Sequence, residues 1–335
     1  MTVRKKFLII CPNWIGDMVM THALLQKLKH IHPYCIIDII APTWCAELAQ
    51  FMPEIRKIYI SPSKHGQLNI LKVWNTAKKL QKKNYSHAII IPNSFKSALI
   101  PFLAKIPIRI GYIGEWRQFL LTKHYKKNKK QKFVDQVAML FKEEALDTPP
   151  PYLHVNQNAL ATIKQKYNLP NSLKKTIALC PGAAYGPAKS WPIEYYLKIA
   201  QHMLQKGWHV WLFGSQAEEK LGQYIEHQCK ESKNFINFIG KTTLEESIYL
   251  LSCTEKVMAN DSGLLHIASA LQRHVIALYG PTPPDVAPPL TKKADIYYLK
   301  LDCSPCFQRH CPLKHHQCLR QITPEMVLQN LESGE

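Results

Sequence analysis

Three short stretches hold the residues best suited to do chemistry. Asp17 closes the loop Pro12-Asn13-Trp14-Ile15-Gly16-Asp17; Lys189 lies in Pro181-Gly182-Ala183-Ala184-Tyr185-Gly186-Pro187-Ala188-Lys189; and Asn260-Asp261-Ser262-Gly263-Leu264-Leu265-His266 forms the third. A carboxylate at the position of Asp17 can take a proton from an attacking hydroxyl, or it can cap a helix that begins at Met18. Lys189, in a Gly/Pro-rich turn, can neutralise an anionic leaving group, although a solvated surface lysine is the ordinary reading of any single Lys. In the third stretch Asp261 or Ser262 can cap a helix whose first amides then point at a phosphate. His266 falls one turn on, as a phosphate or ribose contact or as a packed helix residue. Gly214-Ser215-Gln216 is a further turn of this kind, a candidate for a nucleoside.

A fourth group is made of thiols. Cys303, Cys306, Cys311 and Cys318 fall within sixteen residues, with His310, His315 and His316 between them. Four thiolates can hold a structural zinc; free thiols are the alternative. No carboxylate cluster accompanies them, so a catalytic metal is not expected.

The elements that must position these residues follow from hydrophobic pattern. Apolar runs at 7–11, 36–41, 57–60, 87–91 and 108–112 alternate with amphipathic stretches, the first from about Met18 to Ile31. This is the pattern of a doubly wound parallel sheet. Thr148-Pro149-Pro150-Pro151 cannot continue a helix and suits a linker. The alternation then restarts at 176–180, 209–213, 255–259 and 274–279. The reading is therefore two α/β domains, 1–152 and 153–335, with a cleft between them. In such sheets ligands bind beyond the carboxyl ends of the strands, where all three chemical stretches fall. Thr323 and Pro324 open a final helix over 324–332.

Composition sets the outer bounds. A chain of 335 residues, 46% hydrophobic and 20% charged, has enough apolar material for two cores. No apolar run of about 18 residues is free of charges and turn residues, which argues against a membrane span. Arg4-Lys5-Lys6 before an apolar run imitates a signal peptide, but Pro12-Asn13 end that run, which reads as a first strand. Ten cysteines scattered through strand-like segments are not the layout of a disulfide scaffold and point to a reducing compartment. The formal net charge of +19, from 43 Lys and Arg against 24 Asp and Glu, calls for an anionic partner: nucleic acid, anionic lipid or a phosphorylated substrate. The densest run, Lys123 to Lys132, is read as a solvated loop, with lipid headgroups as the alternative contact.

Taken in order, Asn13-Trp14-Ile15-Gly16-Asp17-Met18, Ala41-Pro42-Thr43-Trp44-Cys45, 92–99 (PNSFKSAL), Cys180-Pro181-Gly182-Ala183, Gly186 to Pro192 and Asn260 to Leu264 resemble the ADP-heptose lipopolysaccharide heptosyltransferases over nearly the whole chain, and among them the second-heptose enzymes most. The resemblance implies a GT-B architecture, two Rossmann-like domains facing a cleft, with acceptor contacts mainly in the first and donor contacts mainly in the second. It also implies a final helix packed back on the first domain. The implied reaction is inverting, metal-free transfer of heptose from ADP-heptose to the first heptose of a Kdo2-lipid A inner core at the cytoplasmic face of the inner membrane. By motif position Asp17 is the general base and Lys189 the phosphate-binding lysine. Gly182, Ala183, Ser215, Gln216, Asp261, Ser262, Gly263, Leu264 and His266 are donor contacts. Asn13, Trp14, Gly16 and Asn93 join the acceptor side, and Lys96, Arg109, Arg117 and Lys123 are assigned there by charge. The chain departs from the first-heptose pattern at Ala183-Ala184-Tyr185, where only the tyrosine carries a hydroxyl. Three other readings stay open: the same donor with a different inner-core acceptor, a basic zinc-knuckle nucleic-acid-binding protein, and a catalytically idle sugar-nucleotide module.

Overall fold

The computed structural model describes residues 4–62, 69–128, 130–142, 147–170 and 173–333. It divides into two units, Met1–His154 and Val155–Glu335. The first runs β1 (Lys6–Ile10), α1 (Ile15–Ile31), β2 (Ile36–Ala41), α2 (Thr43–Ala49), β3 (Ile55–Ile60), α3 (Ile70–Gln81), β4 (His87–Ile90), α4 (Phe95–Leu103), β5 (Ile108–Tyr112), β6 (Lys123–Tyr125) and α5 (Phe133–Ala138). The second runs α6 (Gln157–Lys166), β7 (Thr176–Cys180), α7 (Ile193–Gln205), β8 (His209–Leu212), α8 (Glu219–Cys229), β9 (Phe235–Asn237), α9 (Leu244–Ser252), β10 (Lys256–Asn260), α10 (Gly263–Ala270), β11 (His274–Leu278), β12 (Ala294–Tyr297), α11 (Gln317–Arg320) and α12 (Pro324–Ser333).

Each unit is one six-stranded parallel sheet, ordered β3-β2-β1-β4-β5-β6 and β12-β11-β10-β7-β8-β9. The two orders are the same topology. In each, the chain winds outward from the first strand, then returns to lay its fourth strand against the first, so the connections diverge between β1 and β4 and again between β7 and β10. The central strands read as unbroken apolar runs, FLII in β1 and TIALC in β7, because both of their faces are buried. The short outer strands β6, β9 and β12 carry no such run, and β6 takes the first three residues of the basic stretch, from Lys123. The rest of that stretch is irregular, and Lys129 lies outside the described residues.

The Pro149–Pro151 linker is tied to the first unit: Gln26 Nε2 donates to Pro150 O, and Tyr152 N donates to His22 Nδ1. Helix α12 is anchored in the second unit, where Val327 and Leu331 are buried in the core with Trp191, Trp208 and Ile199. Lys256 Nζ donates to Leu331 O at 2.8 Å, and Trp191 Nε1 donates to Ile322 O at 2.8 Å. Burying those apolar side chains at about 1.5–3 kcal/mol each is what holds the helix there.

Candidate active site

In the second unit the pairing of β7 with β10 brings two of the three chemical stretches side by side. Beyond β7 the chain turns through Pro181-Gly182 and a single 3-10 turn over Pro187–Lys189 before α7. Beyond β10 it passes through Asp261 and Ser262 into α10. Lys189 Nζ donates to Asp261 Oδ2 at 2.5 Å, and Thr282 Oγ1, from the turn after β11, donates to the same oxygen at 2.5 Å. His266 Nε2 approaches Asp261 Oδ1 at 3.8 Å from the first turn of α10. The lysine and aspartate side chains are only 11% and 9% exposed, so this pair sits in a medium that strengthens it. Burial alone would raise the Asp261 carboxyl. The interactions with His266 and with the Lys189 ammonium outweigh that and hold it well below the ordinary carboxylate range.

Ser262 occupies the N-cap of α10 but makes no side-chain cap bond there. The amides that open the helix at Gly263 and Leu264 therefore keep their positive end for an anion. Asp261 and His266 emerge as partners of Lys189 and of each other, with His266 buried at 5% exposure, and Ser262 to Leu264 as the helix end beside them. Tyr185 spends its hydroxyl on Phe307 O at 2.7 Å, leaving backbone amides as the donors of that turn.

The first unit holds the third stretch at the equivalent edge. Helix α1 begins at Ile15 with Trp14 at its N-cap, three residues earlier than expected, so Asp17 stands within the first turn. Asp17 is therefore not the N-cap residue of α1. Asp17 is half-buried and close enough to Cys45 that, after burial, its charge is the next contribution pushing that thiol up to about 12. Trp44 Nε1 donates to Asn13 O at 2.8 Å, which fixes an exposed indole face at this edge. At the carboxyl ends of β1, β2 and β4 opens a pocket, continuous with solvent, lined by Asn13, Trp44, Ser61, Ser94, Lys96 and Ser97 among others. Gly16 is half-buried beside it in sequence, and Trp14 is exposed.

Two of the expected acceptor cations do other work. Arg117 has no exposed surface; its guanidinium donates to the carbonyls of Pro92, Ser94 and Tyr112 and to Ser97 Oγ, and burial lowers it to about 10. It is a buried brace for the pocket wall. Arg109 donates to Leu120 O and Ile106 O at 2.7 and 2.6 Å and lies over the Phe102 ring. Lys96 lines the pocket and Lys123 is exposed on β6. Asn93 Oδ1 is buried without a hydrogen-bond partner, an orphan acceptor in the loop that forms this wall.

Residues 73–317 match the profile of Glycosyltransferase family 9 (heptosyltransferase). The chain is 40% identical to the lipooligosaccharide heptosyltransferase 2 of Haemophilus influenzae, over 97% of each chain, and 35% identical to the lipopolysaccharide heptosyltransferase 2 of Escherichia coli, over 98% of each. The solved structure of E. coli ADP-heptose LPS heptosyltransferase II superposes with a TM-score of 0.87, at 32% identity and 98% coverage of both chains. The chain belongs to glycosyltransferase family 9. Its two parallel α/β units are those of the GT-B heptosyltransferases, and it is an enzyme of that kind.

One residue of this heptosyltransferase site had no role assigned to it within its motif. Asn260, fully buried at the end of β10, accepts from Trp191 N and Tyr196 OH through Oδ1 and donates to Pro181 O through Nδ2. One amide thus joins both loops. A polar residue ending an apolar strand just before Asp261 was the available clue. Ser215 and Gln216, expected at the nucleoside, are engaged locally: Ser215 N and Oγ both donate to Glu218 in a capping box, and Gln216 donates to Glu219. Gly182 lets the same Glu218 carboxylate approach its backbone, because a Cβ there would lie 2.6 Å from it.

The cysteine-bearing segment packs on the donor loop. Ala188 N donates to Arg309 O, and a Cβ at Gly186 would lie 2.5 Å from that oxygen. Lys189 Nζ and the Arg309 guanidinium both lie over the Tyr185 ring, at 4.7 and 5.5 Å from its centre. Cys303, Cys306, Cys311 and Cys318 are free thiols around a small cavity shared with His315 and His316. Burial, then the neighbouring thiols, push Cys318 up to about 11. Among the described residues no three His, Cys, Asp or Glu side chains are gathered so as to hold a cation.

Proposed function

We propose that this heptosyltransferase moves L-glycero-D-manno-heptose from ADP-heptose to the first heptose of a lipid A–Kdo inner core, with inversion. The observation that carries the donor half is the buried Lys189–Asp261–Thr282 cluster beside the open N-terminus of α10. The similar E. coli structure is that of an ADP-heptose enzyme, which supports the choice of nucleotide. The acceptor hydroxyl attacks the anomeric carbon as the bond from that carbon to the β-phosphate oxygen breaks. Its proton passes to the Asp17 carboxylate, and the charge gathering on ADP is met by Lys189 and the first amides of α10. Asp261 is itself an anion and acts here by holding Lys189 in place. Gly182 and Ala183 contribute backbone to the same turn, and no step in this scheme draws on a metal. The sugar end of the acceptor occupies the pocket of Asn13, Trp44 and Lys96.

The enzyme works on this reading at the cytoplasmic face of the inner membrane, where the acceptor is embedded. Among the described residues no helix is long and apolar enough to cross a membrane, which fits attachment from one side. The test is transfer from ADP-heptose, with EDTA present, to lipid A cores ending in Kdo, in one heptose or in two. Turnover only on the one-heptose core is expected; turnover only on another core would shift the acceptor assignment, and none on any core would overturn the reading. The nucleic-acid alternative draws no support from the full-length transferase matches.

A further inference from the structure

The first unit carries an apolar and basic rim that neither the fold nor the transfer chemistry uses. In a parallel βαβ sheet each helix starts at the carboxyl edge, so the first turns of α3 and α4 lie together there. Helix α3 buries Val73, Ala77 and Leu80 in the core, yet in its first turns Ile70 and Leu71 are 69% and 76% exposed and Trp74 is 45% exposed. Ile60, the last residue of β3, is exposed at the same edge, and beyond β5 so are Trp116 and Phe119. Phe119 packs against Phe95, the first residue of α4, with ring centres 6.0 Å apart, and α3 and α4 pack on each other. These side chains are therefore one edge of one sheet, and a water-soluble surface gains nothing from exposing so many large apolar groups together.

The charge around that rim names its partner. Residues 61–140 hold sixteen Lys and Arg against two Asp and Glu, so fourteen of the nineteen net positive charges fall in under a quarter of the chain. Lys72, Lys78, Lys79 and Lys82 are exposed along α3, and the Lys78 ammonium lies over the Trp74 ring at 5.2 Å. Apolar side chains with an amphipathic tryptophan, flanked by lysines whose stems can lie along them, are suited to an anionic lipid–water interface. We propose that this α3–α4 rim docks the enzyme on an anionic phospholipid bilayer. The proposal rests on the reading that the acceptor is a membrane-embedded glycolipid, and it gives that reading a geometry. Ser61 follows Ile60 into the sugar pocket, and Lys96 and Ser97 line that pocket from the first turn of α4, so a sugar chain rooted in the bilayer meets the pocket at the docked edge.

The test is sedimentation of the full chain with vesicles of phosphatidylethanolamine and phosphatidylglycerol or of phosphatidylcholine alone, at low and high salt. Binding that requires phosphatidylglycerol and weakens with salt is expected. At about a factor of five per lysine, reversing Lys72, Lys78 and Lys79 to Glu lowers partitioning at least about a hundredfold. Ile70→Ser, Leu71→Ser and Trp74→Ser together lower it at least about tenfold, with an unchanged melting temperature, since all three sites are exposed. Equal binding to phosphatidylcholine, unchanged partitioning of both variants, or tighter binding to polynucleotide than to vesicles at matched salt would each overturn the proposal. On a deacylated, water-soluble acceptor the serine variant should turn over like the parent, while on vesicle-embedded acceptor it falls with partitioning. Failure of the parent on every acceptor would instead count against the transfer reading and leave the vesicle result standing.

Discussion

The two sheets of this enzyme share a strand order, yet the edges where their connections diverge are built in opposite ways. At β7/β10 the edge is closed and charged: Lys189, His266 and Thr282 converge on the Asp261 carboxylate, and buried Asn260 joins both loops beside it. At β1/β4 the edge is open and mostly uncharged: Trp44 is held by Asn13, and Arg117 braces the wall from behind. Topology decides where a ligand binds, and the loop residues decide which one. On the proposed reading, the closed cation–carboxylate cluster meets a compact diphosphate and the open aromatic pocket a sugar carried on something larger.

The largest effect separates the edges by chemistry. Asp17→Asn should lower kcat by roughly two to four orders of magnitude, the span of a lost general base, while calorimetric titration shows ADP binding unchanged. A variant that kept its turnover would remove Asp17 from the mechanism, and one that lost ADP binding would place it on the donor side.

Lys189→Ala should reverse the pattern. Loss of its buried ammonium should cost about a hundredfold in kcat/KM and weaken ADP binding, leaving acceptor affinity alone. The same cluster sets an acid limb of stability. A carboxyl whose folded value is depressed adds stability that is complete above its unfolded value, near about 3.9, and lost as pH falls through the folded value. Asp261→Asn should therefore destabilise the protein at neutral pH by about 3 kcal/mol, because Lys189 is left buried and unpaired, and the deficit should shrink below about pH 4. Urea unfolding at pH 7 and pH 3 measures it; a deficit equal at both would mean that it does not come from the charge of the Asp261 carboxylate.

How much of this was legible in the sequence differs between the edges for the same physical reason. The long central strands and the turns after them follow from apolar runs broken by Pro and Gly, and Asp17, Lys189 and Asp261 stand on those turns. The outer strands β6, β9 and β12 are three or four residues long and too short for any periodicity. The start of α1 was hidden because Trp14, its N-cap, is not a capping residue by type. Charge alone misled at Arg109 and Arg117, since composition does not tell a solvated guanidinium from one that satisfies buried carbonyls. The bonds of Asn260 and the packing of α12 depend on residues far apart in sequence, which no local pattern encodes.

Arg117 tests the brace behind the open edge. Arg117→Leu keeps the bulk but strands the carbonyls of Pro92, Ser94 and Tyr112, at about 1–3 kcal/mol for a group that water cannot reach. A stability loss of about 3 kcal/mol is expected by thermal or chemical denaturation, with a raised acceptor KM and unaltered ADP affinity. If ADP affinity fell instead, Arg117 would belong to the donor side.

The smallest effect is expected at Arg309, and it sharpens the closed edge. Its backbone carbonyl accepts from Ala188 N, and its guanidinium shares the Tyr185 ring with Lys189, yet the side chain is exposed. Arg309→Ala keeps the carbonyl and so keeps the turn; what it removes is a second positive charge beside Lys189. An exposed charge near a diphosphate is worth roughly 1 kcal/mol and is screened by salt. ADP affinity should therefore fall about fivefold at low salt and by less at high salt, with stability unchanged. A loss as large as that for Lys189→Ala would make Arg309 a direct phosphate ligand, and the cysteine-bearing segment that carries it a third wall of the donor site.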